Sequence, residues 1–273
     1  MTSAIEVPKS ALDRLKGLRG EGHAGGIFTS DFSVNEFLLV RKAGFEPIGL
    51  CVGSCIYHLG FQMAGWSSNQ EMTVLSQAMY EARELAMSRM RAEATDMGAD
   101  GIVGVRLTVK RLEWDAKVLE FVAIGTGVVH AQGHKGFKGP QGQPFTSDLS
   151  GQDFWTLLHA GYRPLEMVMG SCVYHVAHQG LFKSLANSGR NVELTNFTQA
   201  LYDAREIAME RMQEEASKVS AEGVVGVDLH EGSHNWQPHV IEFFAVGTAV
   251  TPITQEQDAS TIPDPQLVLS VNT

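Results

Sequence analysis

The sequence predicts an α+β fold of two tandem β-α-β-β units, each an antiparallel sheet packed on one long helix. Three observations predict it. The chain contains itself twice: FTSDFS at residues 28–33 returns as FTSDLS at 145–150, and GSCIYH at 53–58 returns as GSCVYH at 170–175. Within each copy the hydrophobic period changes from alternation to a three-and-four spacing and back to alternation. The composition, 44% hydrophobic and 19% charged over 273 residues, is an ordinary globular balance and more than one average domain. These assign residues 27–130 and 144–251 to two homologous domains.

The elements follow in order. Residues 1–26 form an extension with a short amphipathic helix carrying Leu12, Leu15 and Leu18. Ser33, three residues before Glu36, is a capping-box pattern that starts a short helix, and Gly44 ends it; Ser150, Asp153 and Gly161 hold the same places in the second copy. A strand follows with Ile48, Leu50, Val52 and Ile56 on one face and Cys51, Gly53, Cys55 and Tyr57 on the other. The second copy keeps the apolar face as Leu165, Met167, Met169 and Val173. The spacing of Met79, Ala82, Ala86, Met90 and Ala94 predicts a long helix over 73–97, closed by Gly98. Its counterpart, YDAREIAMERM for YEARELAMSRM, comes after five extra residues within QGLFKSLANSGRN. Strands over 101–109 and 118–129, joined by a turn containing Trp114, complete the unit. The Gly-rich stretch 131–143 reads as a linker, and 252–273 as a mobile tail.

The last strand is apolar on both faces: Leu119, Phe121 and Ala123 alternate with Val122, Ile124 and Val128. One helix layer covers one face, so the sister repeat or another chain must cover the other; the alternative is closure by the short helix or the tail. Glu120 lies in that strand and needs a cation if buried, an arginine from this chain or from a neighbour, with Arg83 the first expected partner.

Charge and cysteine usage narrow the function classes. The net charge is −10 with no block of like charges, which argues against nucleic acid or an anionic membrane as partner. No apolar run is long enough for a membrane span, and the start, MTSAIEVPKS, lacks a signal-peptide pattern, so a cytoplasmic location is expected. Three cysteines, Cys51, Cys55 and Cys172, read as free thiols in a reducing compartment.

The segments AREIAMERM, EGVVGVDL and VGTAV, with AREL, GADGIVGVRL and IGTGV in the first repeat, resemble the YbjQ family, also called UPF0145 and described as "putative heavy-metal-binding". The resemblance implies a dodecin-like α/β subunit that closes into a pentameric ring. For a tandem chain the simplest closed solution is a homopentamer of two stacked rings, one of first repeats and one of second repeats; the competing arrangement alternates the repeats within one larger ring and ranks below it, because it would change the curvature of the subunit contact.

The GSCIYH and GSCVYH pair offers a soft thiolate and an imidazole three residues apart in both repeats. Cys55, His58, Cys172 and His175 are therefore the candidate ligands for zinc or another soft metal ion. On a regular strand, residues three apart point to opposite faces, and Cys51 and Cys55 lie ~13 Å apart, so such a site would have to form between chains. The alternative is a buried structural Cys beside Tyr57 and a hydrogen-bonded His. His230, His234 and His239 form a second, looser cluster near Trp236, read as a solvated hairpin. No nucleophile–base–acid set is evident, so no catalytic residue is assigned. Neither GADGIVG nor IGTG has the order or polarity of a phosphate-binding loop. The reading is a non-enzymatic, ring-forming protein that binds a metal or small ligand at subunit contacts. The alternatives are a purely structural scaffold and a thiol enzyme using Cys55.

Overall fold

A computed structural model of the chain describes residues 8–18, 27–59, 68–112, 118–133, 135–139, 141–177, 193–232 and 239–253. These run α1 (Lys9–Leu18), α2 (Val34–Lys42), β1 (Phe45–His58), β2 (Gln70–Glu71), α3 (Thr73–Met97), β3 (Gly101–Arg111) and β4 (Val118–His130). A 3-10 turn (Lys135–Phe137) leads to β5 (Phe145–Thr146), α4 (Gly151–His159), β6 (Tyr162–His175), α5 (Thr195–Lys218), β7 (Gly223–Gly232) and β8 (Val240–Pro252). The fold is α+β with two sheets, in the orders β1-β4-β3-β5 and β2-β6-β8-β7. The turn around Trp114, the insertion before α5, His234, Trp236 and the expected tail beyond residue 253 lie outside the described residues. Among the described residues, no helix is long and apolar enough to cross a membrane.

Local chemistry sets the boundaries. The Ser33 hydroxyl accepts from the Glu36 amide and the Glu36 carboxylate accepts from the Ser33 amide, which satisfies two free donors at the start of α2. Gly98 takes a left-handed φ of +78° at the end of α3, where a side chain would be strained. Along β1 and β6, alternation turns Cys51, Gly53 and Cys55, or Gly170 and Cys172, toward the repeat's own long helix. A Cβ at Gly53 would lie 2.0 Å from the Ala86 carbonyl oxygen, and one at Gly170 would lie 2.0 Å from that of Ala208. Strand and helix therefore touch backbone to backbone, and only glycine fits.

The principal core lies between the repeats. On one side α3 packs on β1 and β4 of its own sheet. On the other it meets the outer face of the second sheet, where Met167, Met169, Val173, Phe244 and Val246 join one cluster with Met79, Met87 and Met90. The sister repeat thus covers the second face of β8, as the doubly apolar strand required. The matching face of the first sheet is covered in part by α1: Leu15 is buried, and Arg14 Nη1 donates to the Leu50 carbonyl at 2.8 Å. Beyond α1, no described element covers the end of this face at Ile56. Val173 is 0% exposed, whereas its first-repeat counterpart Ile56 is 64% exposed.

The repeats also exchange edge strands. β5 of the second repeat runs parallel to β3 of the first, and β2 of the first runs antiparallel to β6 of the second. They consequently sit side by side within the chain. The physical reason is that unpaired strand edges and an apolar sheet face are satisfied together when α3 lies against β6. The Gly-rich stretch is not a free tether either, because Phe137 is buried edge-on against Phe45 at 5.0 Å between ring centroids.

Adding one methyl group at Gly53 (G53A) forces α3 off β1. It is expected to lower unfolding free energy by about 2–3 kcal/mol, measured by urea denaturation.

Candidate functional site

The cysteine–histidine strand ends are set by β-sheet alternation. β1 keeps an unbroken register with β4 from Gly49 to His58, so Cys55 faces α3 and His58 faces outward into solvent. Cys55 is buried and its thiol donates to the Ala82 carbonyl at 3.2 Å. Burial raises its pKa, against an opposing pull from Arg89. Cys172 is fully buried; desolvation, with Glu71 and Glu242 adding, pushes its thiol up to about 12. Burial and Glu93 push Cys51 up to about 12 as well. His175 is buried under the first repeat, its Nδ1 3.3 Å from the Ser68 carbonyl.

Within one chain, Cys55, His58, Cys172 and His175 are therefore not arranged to share a metal ion. A ligand must be a thiolate or a neutral imidazole with a free lone pair, yet the thiols are held protonated and face the core, and each pair splits across its strand. Among the described residues, no group of three or more His, Cys, Asp or Glu is arranged to hold a metal. His230 is exposed, 3.2 Å from Asp228, and stacks on Phe244. The raised thiol pKa also removes the activation that a nucleophilic Cys55 would need.

What the fold does assemble is a polar seam inside the contact between repeats. Arg83 and Glu242 are each 3% exposed, and Arg83 Nη1 donates to Glu242 Oε1 at 2.6 Å. Ser171 Oγ accepts from Arg83 at 3.1 Å and donates to the same carboxylate oxygen at 2.8 Å. The guanidinium lies 4.0 Å from the Phe244 ring centroid. Around it, the Tyr80 hydroxyl donates to Glu215, and Arg211 grips Glu71 of β2 with two bonds of 2.6 and 3.1 Å. Glu120 is thus not the partner of Arg83; the arginine crosses to Glu242, the same position in the other repeat. The signal in the sequence was that both charges recur in both repeats, but which copy pairs with which depends on how the repeats dock.

Known proteins resemble the chain at two scales. A family model described as "Putative heavy-metal-binding" matches twice, over residues 67–131 and 161–252. The encapsulin nanocompartment protein Rv1762c of Mycobacterium tuberculosis is 50% identical over 228 residues, covering 84% of this chain and 87% of that protein. UPF0145 proteins of Pseudothermotoga lettingae (37% identical, 33% of this chain, 87% of the relative) and Methanosarcina acetivorans (40%, 30% and 81%) match about one repeat.

Two outcomes follow from the seam and the thiols. Replacing Arg83 with Met leaves Glu242 buried without its cation and is expected to cost about 3–5 kcal/mol in urea unfolding, most of it recovered in R83M/E242L. In a maleimide or disulfide-exchange time course at neutral pH, the native thiols should react at least about tenfold more slowly than free cysteine, and all three at once in denaturant.

Proposed function

From the premise that the chain belongs to the YbjQ family, carrying two of its domains in tandem, we propose that it is a non-enzymatic, self-assembling structural protein of the cytoplasm. The observation that carries this reading is the half-finished first repeat. Its outer sheet face presents Ile56 at 64% exposure where the second repeat buries Val173 completely under a neighbouring helix. An apolar face beside a strand edge that no strand pairs among the described residues favours association, and in a homo-oligomer the nearest source of cover is another copy. The Mycobacterium tuberculosis relative, named as a nanocompartment protein, supports a role as a component of a protein-walled compartment.

Of the readings open at the outset, the scaffold is favoured over metal binding, because the candidate ligands sit protonated in the core or apart on opposite strand faces. The number of chains in the assembly, five or otherwise, is what its mass would read.

Native mass spectrometry of tag-free protein, before and after chelator, tests the proposal. A defined multiple of the chain mass, unchanged by chelator, is expected. A monomer at micromolar concentration overturns self-assembly, and a chelator-sensitive, integral metal load overturns the metal-free scaffold. Sedimentation of host lysate addresses the compartment: the chain should travel with large particles, and recovery solely in low-mass fractions overturns that role.

A further inference from the structure

We infer that the second repeat of one chain docks on the first repeat of a second copy through the same contact that joins the repeats within a chain, so that the two repeats alternate head to tail around a closed assembly. This rests on the reading of the protein as self-assembling and adds which surfaces meet.

Within the chain the contact has two unlike sides. The first repeat offers the outer face of α3, β2 and the edge of β3, while the second receives them on the outer face of β6 and β8 and contributes β5. Each side has a counterpart left open at the other end of the molecule. The second repeat carries the offering side again in α5 and β7, and Tyr202, Val225 and Val227 are exposed there. The first repeat carries the receiving side again in β1, β4 and the segment from Ile27.

The chemistry of the open surfaces matches the closed contact at several positions. Arg83 meets Glu242 and Ser171 inside the chain; the equivalent residues are Arg205, Glu120 and Ser54. Arg205 lies at the surface and pairs with its sequence neighbour Glu206, and among the described residues Glu120 has no cation. At the strand edge, the Val173 amide donates to Ser76 Oγ at 2.8 Å and its carbonyl accepts from the Met72 amide at 2.7 Å. The equivalents are Ile56, whose edge-facing amide and carbonyl meet nothing among the described residues, and Thr198 and Leu194, a hydroxyl and an amide in the same places.

The aromatic match is steric. Phe145 is 0% exposed because its ring lies over Gly101, where a Cβ would come within 2.0 Å of the ring. The equivalent glycine, Gly223, has open space above it, its nearest neighbour being Val250 at 4.0 Å, and the equivalent Phe28 is 46% exposed. A second copy's Phe28 fills the space that Gly223 leaves.

Helix α1 overlaps part of this surface. Arg14 binds Glu93 through Oε2, the oxygen that also accepts from the Val52 amide. Glu93 is 4% exposed in the single chain, so Tyr202 reaches its Oε1, as Tyr80 reaches Oε1 of Glu215, with α1 moved aside. Two features are not repeated: Arg91 and Glu166 become Gln213 and Gly49, which removes one ion pair, and Gly151, where a Cβ would lie 2.7 Å from that of Glu36, becomes Val34, so α2 of one copy must sit farther from α4 of the next than α4 does from α2 within a chain. Like-with-like rings would instead place Arg83 on a neighbour's Glu120, which means extracting it from Glu242 and leaving that buried carboxylate without its cation. The alternating contact is heterologous, and it closes into a ring of n chains and an even number of repeats when its rotation permits.

Cysteine cross-linking in the full chain tests the order. An equimolar mixture of Glu120→Cys and Arg205→Cys chains, co-assembled and then oxidised, should give covalent dimers on a non-reducing gel that neither variant gives alone. A charge reversal reads the same contact without oxidation: R205E and E120R should each lower the native mass toward the monomer, and R205E/E120R should restore it. Cross-linking of Glu120→Cys to Arg83→Cys chains instead of Arg205→Cys chains would overturn the alternation in favour of like-with-like rings. A wild-type oligomer unmoved by both single reversals, with no 120–205 cross-link, would overturn this contact while leaving self-assembly intact. A wild-type monomer would overturn both.

Discussion

A sheet that is apolar on both faces cannot be closed by a single helix, and each repeat of this chain has one long helix for one such sheet. Everything else in the structure follows from how that shortage is met. The first repeat's α3 serves two sheets at once, buried between β1 and β4 on one side and β6 and β8 on the other. It has correspondingly more buried positions than α5, whose buried residues, Ala200, Ala204, Ala208, Met212 and Ala216, form one stripe toward its own sheet. Burial differs even at identical residues, Arg83 and Met87 being buried in α3 while Arg205 and Met209 are only partly buried in α5, so at these positions the difference comes from docking and not from composition.

A helix shared by two sheets must bring its polar groups with it. Arg83 enters an apolar contact because a carboxylate, a serine and an aromatic face are ready for it, and a buried ion pair of this kind contributes more to the register of docking than to net stability. The exchanged edge strands act in the same direction. β2 and β5 are two residues long, too short to stabilise a sheet, yet each caps an edge that would otherwise present unpaired backbone groups. Glycine bulges at Gly104 and Gly226, with left-handed φ values of +69° and +65°, interrupt β3 and β7 at matching places; in β3 the freed Gly104 and Val105 amides donate to the Leu149 and Ser147 carbonyls of the other repeat. Docking is therefore specified by backbone and charge, while apolar burial supplies its free energy.

The cysteines illustrate how the same strand serves packing in preference to chemistry. Cys51, Cys55 and Cys172 occupy the small, inward positions next to glycines where the helix comes closest, and the desolvation that makes them good packing residues makes them poor ligands and poor nucleophiles.

The sequence by itself determined the duplication, the capped short helices, the long helix over residues 73–97 and the alternation of each strand, because these depend on local spacing and on chemistry within a few residues. It also carried the need for a second cover over the last strand and the separation of Cys55 from His58, both consequences of a period of two. What covers the strand, and that Arg83 pairs with Glu242 and not Glu120, was decided by tertiary structure. The two repeats carry the same residues at those positions, so no local pattern distinguishes one copy's partner from the other's. The choice is made by which sheet face α3 lies against, and that face belongs to the neighbouring repeat.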